Sequence, residues 1–145
     1  MKLSYEPALP EDVEVIFQLS KTLIDQYENI QDIPYGEVLG WVWRKIEKHI
    51  CSYNRIYVDD AHAGYYRFFP SEEKMELDDL YIFPEFQGRG IGTCVIEKCC
   101  GETEKPVMLY VFIRNTRAWK LYQRLGFEIR ENIRGSRYIM VRENL

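Results

Sequence analysis

Apolar positions recur with two different periods along the chain, and the change of period divides it into two parts. Up to about residue 50 they recur every three or four positions, which is typical of helices that bury one face. The first predicted helix begins at Pro10-Glu11-Asp12, where two acids meet the positive end of the dipole. Its predicted buried face carries Val13, Ile16, Phe17, Ser20 and Ile24. The buried face of a second helix carries Leu39, Val42, Trp43, Ile46 and Ile50.

From Arg55 onward the pattern changes to short segments rich in Tyr, Ile and Phe, which predict strands. Besides a short strand near Leu3, the predicted strands are 55–59, 65–69, 74–83, 107–113, 127–131 and 138–142. One helix is expected from Ile91 and another over Thr116–Leu125, ended by Gly126. The resulting order, β-α-α-β-β-β-α-β-α-β-β, predicts an α/β fold of the mixed-sheet (α+β) kind. We expect a single domain over residues 1–145, with about six to seven strands and helices on both faces.

Composition agrees with a globular protein, since 46% of the residues are hydrophobic, 29% are charged and 14% are aromatic. The longest apolar run, Val107–Ile113, has seven residues, whereas a membrane-spanning helix needs about 20. The start of the chain also lacks the apolar core of a signal peptide. We therefore expect a cytoplasmic protein that does not act in a membrane.

Charge is distributed unevenly. The net charge is −4, yet residues 114–142 carry eight Lys or Arg and two Asp or Glu. An anionic partner would be drawn to this part and a cationic one to the remainder, unless the charges only cover a surface. The overall acidity argues against nucleic acid as a partner.

The cysteines and histidines have neither the spacing of a metal site nor that of a disulfide framework. Cys94 and Cys99 fall in an apolar stretch, where a free thiol behaves as a small hydrophobe. We expect reduced thiols and no metal.

A glycine-rich turn, Gln87-Gly88-Arg89-Gly90-Ile91-Gly92, separates a predicted strand from a predicted helix. Unpaired backbone N–H groups at a helix start attract phosphate, and glycines let it approach the main chain. A P-loop would need Gly-Lys-Ser/Thr here, and a dinucleotide fingerprint would need glycine at Thr93. Both common nucleotide motifs therefore fail, and the turn alone fits either a diphosphate site or a structural bend.

Two motifs in order give a more specific indication. Gln87-x-x-Gly90-x-Gly92 follows Leu80-Tyr81-Ile82-Phe83-Pro84, and Asn115, Ala118 and Tyr122 precede Leu125-Gly126-Phe127. This combination resembles the GNAT superfamily of N-acetyltransferases. The resemblance covers the element order of the whole chain, while residue-level matching is confined to about 76–127.

The resemblance implies acetyl-CoA as cosubstrate and no metal. Its diphosphate would be held at the turn, by Gln87, Gly88, Arg89, Gly90, Ile91, Gly92 and Thr93. Its pantetheine arm would lie between the strands 74–83 and 107–113, against the main chain of Leu80, Tyr81 and Ile82. Asn115 would contact the arm through its side chain, although the same residue fits a helix N-cap equally well, and both roles can hold.

The resemblance also implies catalytic roles. Tyr122, seven positions after Asn115 and thus on the same helical face, would protonate the departing thiolate. Glu76, with Asp78 as a weaker alternative, would accept the proton of the amine, unless both are surface charges; a chain of water molecules to solvent is the other alternative. Strict alternation places Glu76, Asp78, Leu80 and Ile82 on one face of their strand.

Acceptor specificity is expected in Asp25–Tyr35 and in the hairpin Arg130–Arg137, but the sequence does not identify the amine. No cysteine falls at the implied site, which favours direct attack in a ternary complex over an acetyl-cysteine intermediate. Exposed strand edges allow a homodimer. Two alternatives stay open: a non-catalytic acyl-CoA-binding or sensor module of the same fold, and an interaction domain without a ligand.

Overall fold

The structure is a computed structural model that describes residues 1–144, so Leu145, the last residue of the expected domain, lies outside the described residues. Its elements are β1 (Leu3–Pro7), α1 (Asp12–Tyr27), α2 (Tyr35–His49), β2 (Tyr53–Val58), β3 (Ala61–Ser71), β4 (Lys74–Ile82), α3 (Ile91–Gly101), β5 (Val107–Phe112), α4 (Thr116–Arg124), β6 (Glu128–Ile133) and β7 (Arg137–Arg142). Short 3₁₀ turns cover Ile30–Asp32, Ile50–Ser52 and Pro84–Phe86. The predicted order of strands and helices is confirmed.

All seven strands form one sheet in the order β1-β2-β3-β4-β5-β7-β6. Neighbouring strands run antiparallel except β4 and β5, which run parallel. The sheet is therefore mixed, as predicted. β3 begins at Ala61, earlier than the predicted residue 65, because β2 turns back at once through Asp59 and Asp60, whose φ angles are 49° and 70°. Asp tolerates this left-handed region better than most residues.

The helices cover opposite faces of the sheet. α1 and α2 pack on one side, which we call the α1/α2 face, around Ile16, Ile46 and Tyr53. α3 and α4 pack on the other, the α3/α4 face, around Val95, Leu109 and Phe127. Burying a large apolar side chain contributes about 1.5–3 kcal/mol, so these two clusters hold the layers together.

A buried carboxylate fixes the start of α1. Asp12 accepts hydrogen bonds from the amide of Leu9 at 2.7 Å, the Arg55 Nε at 2.8 Å and the Tyr65 hydroxyl at 2.5 Å. The side chain that opens the helix thereby ties it to β2 and β3.

β4 and β5 pair only at their first residues. The register joins Met75 to Val107 and Glu76 to Met108, and no further pair follows among the described residues. A gap therefore opens between the two strands in the direction of their carboxyl ends.

A bulge in β4 overturns the expected alternation. Tyr65 is opposite Tyr81 and Arg67 is opposite Asp78, so two residues of β4, Asp79 and Leu80, face one of β3. Asp79 adopts a φ of 50°. An extra residue reverses the side-chain alternation beyond it.

As a consequence, Glu76 and Asp78 do not share a face with Leu80 and Ile82, and the prediction that they do is wrong. Leu80 and Ile82 pack in the cluster of the α3/α4 face. Asp78 and Asp79 instead lie on the α1/α2 face, where both bind Lys45 of α2.

Close backbone approach supports the bulge from β3. A Cβ added at Gly64 would stand 1.9 Å from the carbonyl oxygen of Tyr81. Only glycine fits this position while β3 and β4 keep their spacing.

Candidate active site

From its carboxyl end, on the open side of the gap, β4 leads through residues 83–90 into the start of α3. The first intrahelical bond of α3 runs from the Cys94 amide to the Gly90 carbonyl at 3.1 Å. The amides of Ile91, Gly92 and Thr93 therefore have no intrahelical partner. Gly90 precedes the helix without a side-chain cap. This helix start presents bare N–H groups shortly after the chain leaves the gap.

The turn before α3 is shaped for close approach. Gly90 has a φ of +78°, and a Cβ added there would meet nothing within 4 Å, so its conformation rather than crowding requires glycine. The Gln87 side chain donates to the Ile82 carbonyl at 2.9 Å. The Arg89 guanidinium lies 5.3 Å from the Phe86 ring centre. Of the residues predicted from the sequence, Gln87, Gly88, Arg89 and Gly90 thus form one exposed turn, while Ile91, Gly92 and Thr93 are the first residues of α3, with the Ile91 side chain buried in the core.

The start of α4 is built differently. Asn115 precedes the helix, and its side-chain oxygen accepts from the Ala118 amide at 3.3 Å. The predicted N-cap is confirmed. The cap uses Oδ1, which leaves the NH₂ group of the same side chain for another partner.

Tyr122 lies on the α3/α4 face. It packs against the apolar cluster that also contains Leu80 and Leu109, one from each strand beside the gap, and its ring centre is 6.0 Å from that of Phe127. Burial raises the pKa of the Tyr122 hydroxyl to about 12. Such a group keeps its proton at neutral pH and can donate it.

Glu76 lies on the opposite face, in the last residue pair before the gap. Its register neighbours are Phe69 on β3 and Met108 on β5. Burial raises the pKa of Glu76 to about 7; Asp78 adds to this rise, and Lys45 and Arg67 oppose it. A carboxylate that titrates near neutrality can accept a proton from an amine.

Beside Glu76 lies a polar network that the sequence analysis missed. Lys45 Nζ is 2.8 Å from Asp78 and 2.9 Å from Asp79. The hydroxyls of Tyr53 and Tyr81 donate to Asp79 at 2.5 and 2.8 Å. The sequence feature that could have indicated this network is the Asp78-Asp79 doublet. Because helices are predicted on both faces of the sheet, two adjacent acids in one of its strands need polar partners.

The network extends to α1 and β3. The Tyr81 hydroxyl is 2.6 Å from Ser20 Oγ, so the one polar residue on the predicted apolar face of α1 has a buried partner. Arg67 is buried; its Nε donates to Ser52 Oγ at 2.7 Å and its Nη1 lies 3.6 Å from the Asp78 carboxylate. Tyr81 thus has its side chain in this network, whereas its predicted cofactor role belongs to its main chain.

The two segments expected to set acceptor specificity are brought together. Ser136, in the turn between β6 and β7, donates to the Glu28 carboxylate at 2.7 Å. Tyr27 stacks on Phe112 of β5 with ring centres 6.2 Å apart. Asp25 is already engaged by Lys21 at 2.8 Å and by Tyr35 at 2.5 Å.

A shallow concavity of about 330 Å³ lies on the α1/α2 face of β5 and β7, and among residues 1–144 no helix contributes to its lining. Its lining includes Lys74, Met108, Tyr110 and Ile139. The Arg137 guanidinium is 5.2 Å from the Tyr110 ring centre. This surface borders Glu76 through its register neighbour Met108.

Residues 1–144 contain no group of three or more His, Cys, Asp or Glu side chains arranged to hold a metal ion. Within the same residues, no helix combines the length and the apolar character needed to cross a bilayer.

Relatives known from sequence support the resemblance. The family model for the acetyltransferase (GNAT) family matches residues 16–127. An uncharacterized N-acetyltransferase of Methanocaldococcus jannaschii is 39% identical over 67 residues, which are 43% of this chain and 30% of that protein. A GCN5-like protein acetyltransferase of Mycobacterium tuberculosis is 43% identical over 56 residues, 36% of this chain and 27% of that protein. The matches thus span less than a third of each curated relative.

Solved structures share the fold over the whole length. The PaiA N-acetyltransferase of Thermoplasma acidophilum in complex with coenzyme A superposes with a TM-score of 0.69 at 19% identity, covering 99% of both chains. Ard1 of Thermoplasma volcanium superposes with a TM-score of 0.71 at 17% identity, covering 100% of this chain and 99% of the other. With the family match over most of its length and this shared fold, the chain belongs to the GNAT family of acetyltransferases.

Proposed function

We propose that this enzyme transfers an acetyl group from acetyl-CoA to a primary amine, of a small molecule or a protein, by direct attack in a ternary complex. One observation carries the proposal: from the gap between β4 and β5 the chain leads into the uncapped start of α3, and the gap has Tyr122 on one face and Glu76 on the other. A thioester in this gap would have an acid on one side and a base on the other.

The turn and the gap supply the contacts for the cosubstrate. The bare amides from Gly88 to Thr93 and the Arg89 guanidinium suit a diphosphate. Within residues 1–144, β4 has no ladder partner on its β5 side beyond Glu76, so the main chain of Leu80–Ile82 can pair with the pantetheine arm like an added strand, although the Ile82 carbonyl also accepts from the Gln87 side chain. The NH₂ group of Asn115 adds a donor to the arm. The coenzyme A bound to the related PaiA enzyme agrees with this assignment.

Each chemical step then has a residue. Glu76 takes a proton from the ammonium form of the acceptor, and the neutral amine attacks the thioester carbonyl carbon. A main-chain amide of β4 stabilises the oxyanion that forms. As the C–S bond breaks, the thiolate takes the proton of the Tyr122 hydroxyl. The attacking nitrogen gives up its remaining excess proton, which restores the Tyr122 phenol, and Glu76 releases its own proton to solvent, so the products are the N-acetylated amine and free coenzyme A.

A panel of amines and peptides, assayed for free-thiol release from acetyl-CoA, tests the proposal. We expect at least one acceptor class to give turnover. Saturating acetyl-CoA at 100 times its Kd should also stabilise the fold by about 2.7 kcal/mol, seen as a thermal shift. Binding without turnover across the panel would indicate a non-catalytic acyl-CoA-binding module, and absence of any thermal shift an interaction domain.

A further inference from the structure

Three carboxylates lie on the α1/α2 face of β4 within four residues: Glu76, Asp78 and Asp79. The bulge brings Asp79 to the side where Asp78 already points. The side chains of Asp78 and Asp79 are only 21% and 12% exposed. Three such groups cannot all ionise at neutral pH without cations beside them.

Two cations face this cluster, Lys45 from α2 and Arg67 from β3. Arg67 is shared: it binds Ser52, lies 3.7 Å from the Phe69 ring centre and is 3.6 Å from Asp78. Lys45 is closer and contacts both aspartates, at 2.8 and 2.9 Å. Lys45 is therefore the cation that chiefly compensates the pair.

The aspartates respond differently to these surroundings. Burial opposes ionisation of Asp79, but Lys45 and the hydroxyls of Tyr53 and Tyr81 lower its pKa below the ordinary value. Burial and the charge of Asp79 raise the pKa of Asp78. Asp79 thus holds a fixed negative charge, and any further charge on Asp78 acts on Glu76, two positions along the strand.

We propose that Lys45 is a positioning residue of the reaction: by pairing with both Asp78 and Asp79 it offsets their charge beside Glu76 and lets the Glu76 carboxylate act as the base. This inference rests on the proposed role of Glu76 as the base. Without Lys45, Glu76 would share Arg67 with two aspartates and would retain its proton to higher pH.

The other titratable groups around Glu76 do not replace Lys45. His49, on α2, lies near Arg67 and Lys45, and burial with these cations lowers its pKa, so it is neutral at pH 7. Tyr110 on β5 keeps its proton, since burial and the charge of Glu76 raise its pKa. Removing Lys45 therefore leaves Arg67 as the cation facing the carboxylates from the elements packed on them.

The test compares Lys45→Met with Lys48→Met, which removes an equal charge from an exposed position of the same helix. The first readout is the pH dependence of kcat/KM. In Lys45→Met the acid limb should move up by about one pH unit, which lowers kcat/KM by about tenfold below the limb. The pH profile of Lys48→Met should match that of the wild type. Lys45→Arg keeps the positive charge, so its acid limb should lie close to the wild-type position.

The second readout does not depend on turnover. The Glu76 carboxyl is titrated by ¹³C NMR in the ligand-free protein, with its signal assigned by its loss in Glu76→Gln. Its midpoint should rise in Lys45→Met and stay unchanged in Lys48→Met. Because this titration needs no acceptor, it tests Lys45 even if no amine proves to be acetylated.

Superposition of the Lys45→Met and Lys48→Met titrations would overturn the inference. A limb that moves while the Glu76 signal does not would assign the base to another residue and overturn it as well. If Lys45→Met does not fold, as judged by its thermal melt, Lys45→Gln removes the same charge and retains a polar side chain for the same two measurements.

Discussion

The two faces of the sheet differ sharply beside the gap. On the α3/α4 face Tyr122 is surrounded by apolar side chains, and burial alone raises its pKa. On the α1/α2 face Glu76 is half-buried, which also raises its pKa, but acids and cations act on that pKa in opposite directions. An apolar environment is enough to keep the proton on an acidic group such as the Tyr122 phenol. A carboxyl that must release its proton near neutral pH needs cations that offset the effect of burial on its pKa.

In the proposed reaction, this contrast would also separate the two substrates. The apolar face carries the residues that would meet the sulfur end of the cosubstrate. The polar face, with the concavity around Tyr110, would be the side from which a charged acceptor amine arrives while still hydrated. The chemistry would then proceed through the sheet, from one face to the other.

Loss of the phenol on the apolar face should have the largest effect. Tyr122→Phe should lower kcat by about 10²–10³-fold, because the thiolate would depart without a proton, while the Kd for acetyl-CoA changes little. Tyr138→Phe, which removes another hydroxyl next to the same cluster, is the matched control. Equal turnover in wild type and Tyr122→Phe would remove the proton-donor role.

Removal of the proposed base on the polar face, Glu76, should have the second-largest effect. Glu76→Gln should lower kcat/KM by about 10–10²-fold at pH 8. In the wild type, activity should fall as pH drops through the Glu76 pKa of about 7, because the protonated carboxyl cannot accept a proton. This acid limb should vanish in Glu76→Gln and persist in Glu73→Gln, which alters an exposed acid of the β3–β4 turn. A limb that survives in Glu76→Gln would shift the base to Asp78 or to solvent.

A substitution in the turn before α3, which belongs to neither face of the sheet, should have a smaller effect that is confined to cosubstrate binding. Gly90→Val should raise the Kd for acetyl-CoA by about tenfold, because a branched side chain would stand where the diphosphate approaches. Gly135→Val carries the same backbone cost, since Gly135 has a φ of +72° and equally open surroundings in the β6–β7 turn.

Calorimetry with acetyl-CoA compares the two glycine variants. Both should be less stable than the wild type, but only Gly90→Val should lose affinity. Equal Kd values in the two variants would place the diphosphate elsewhere.

The smallest expected effect is on stability. The folded-state pKa of Glu76, about 7, lies above its ordinary value of 4.5. The protonated carboxyl therefore favours the folded state, and this contribution is lost as pH rises through about 7. Glu76→Gln should raise the melting temperature by about 2–4 °C at pH 8 and leave it unchanged at pH 4. A shift of equal size at both pH values would contradict the elevated pKa.

Sequence periodicity was sufficient for the element order, because each helix and strand buries a face whose spacing is local. The cap at Asn115 was equally predictable, since the capping residue and its helix are adjacent. The bulge was not: alternation assumes one residue per step, and Asp79 breaks it with a φ of 50°. The contacts of Lys45 and Arg67 with the carboxylates of β4 could not be predicted, because both residues belong to other elements and a local sequence pattern carries no information about tertiary contacts.

The brief pairing of β4 with β5 also has a mechanical consequence. Four strands on one side and three on the other form separate ladders joined through Met75–Val107 and Glu76–Met108. Between other neighbouring strands, many residue pairs share the resistance to twisting. Between β4 and β5, any rotation of one ladder relative to the other strains these two residue pairs. A pantetheine arm bound in the gap would add hydrogen bonds that the two strands do not make. Binding of the cosubstrate would therefore stiffen the protein, and release of the product coenzyme A would relax it.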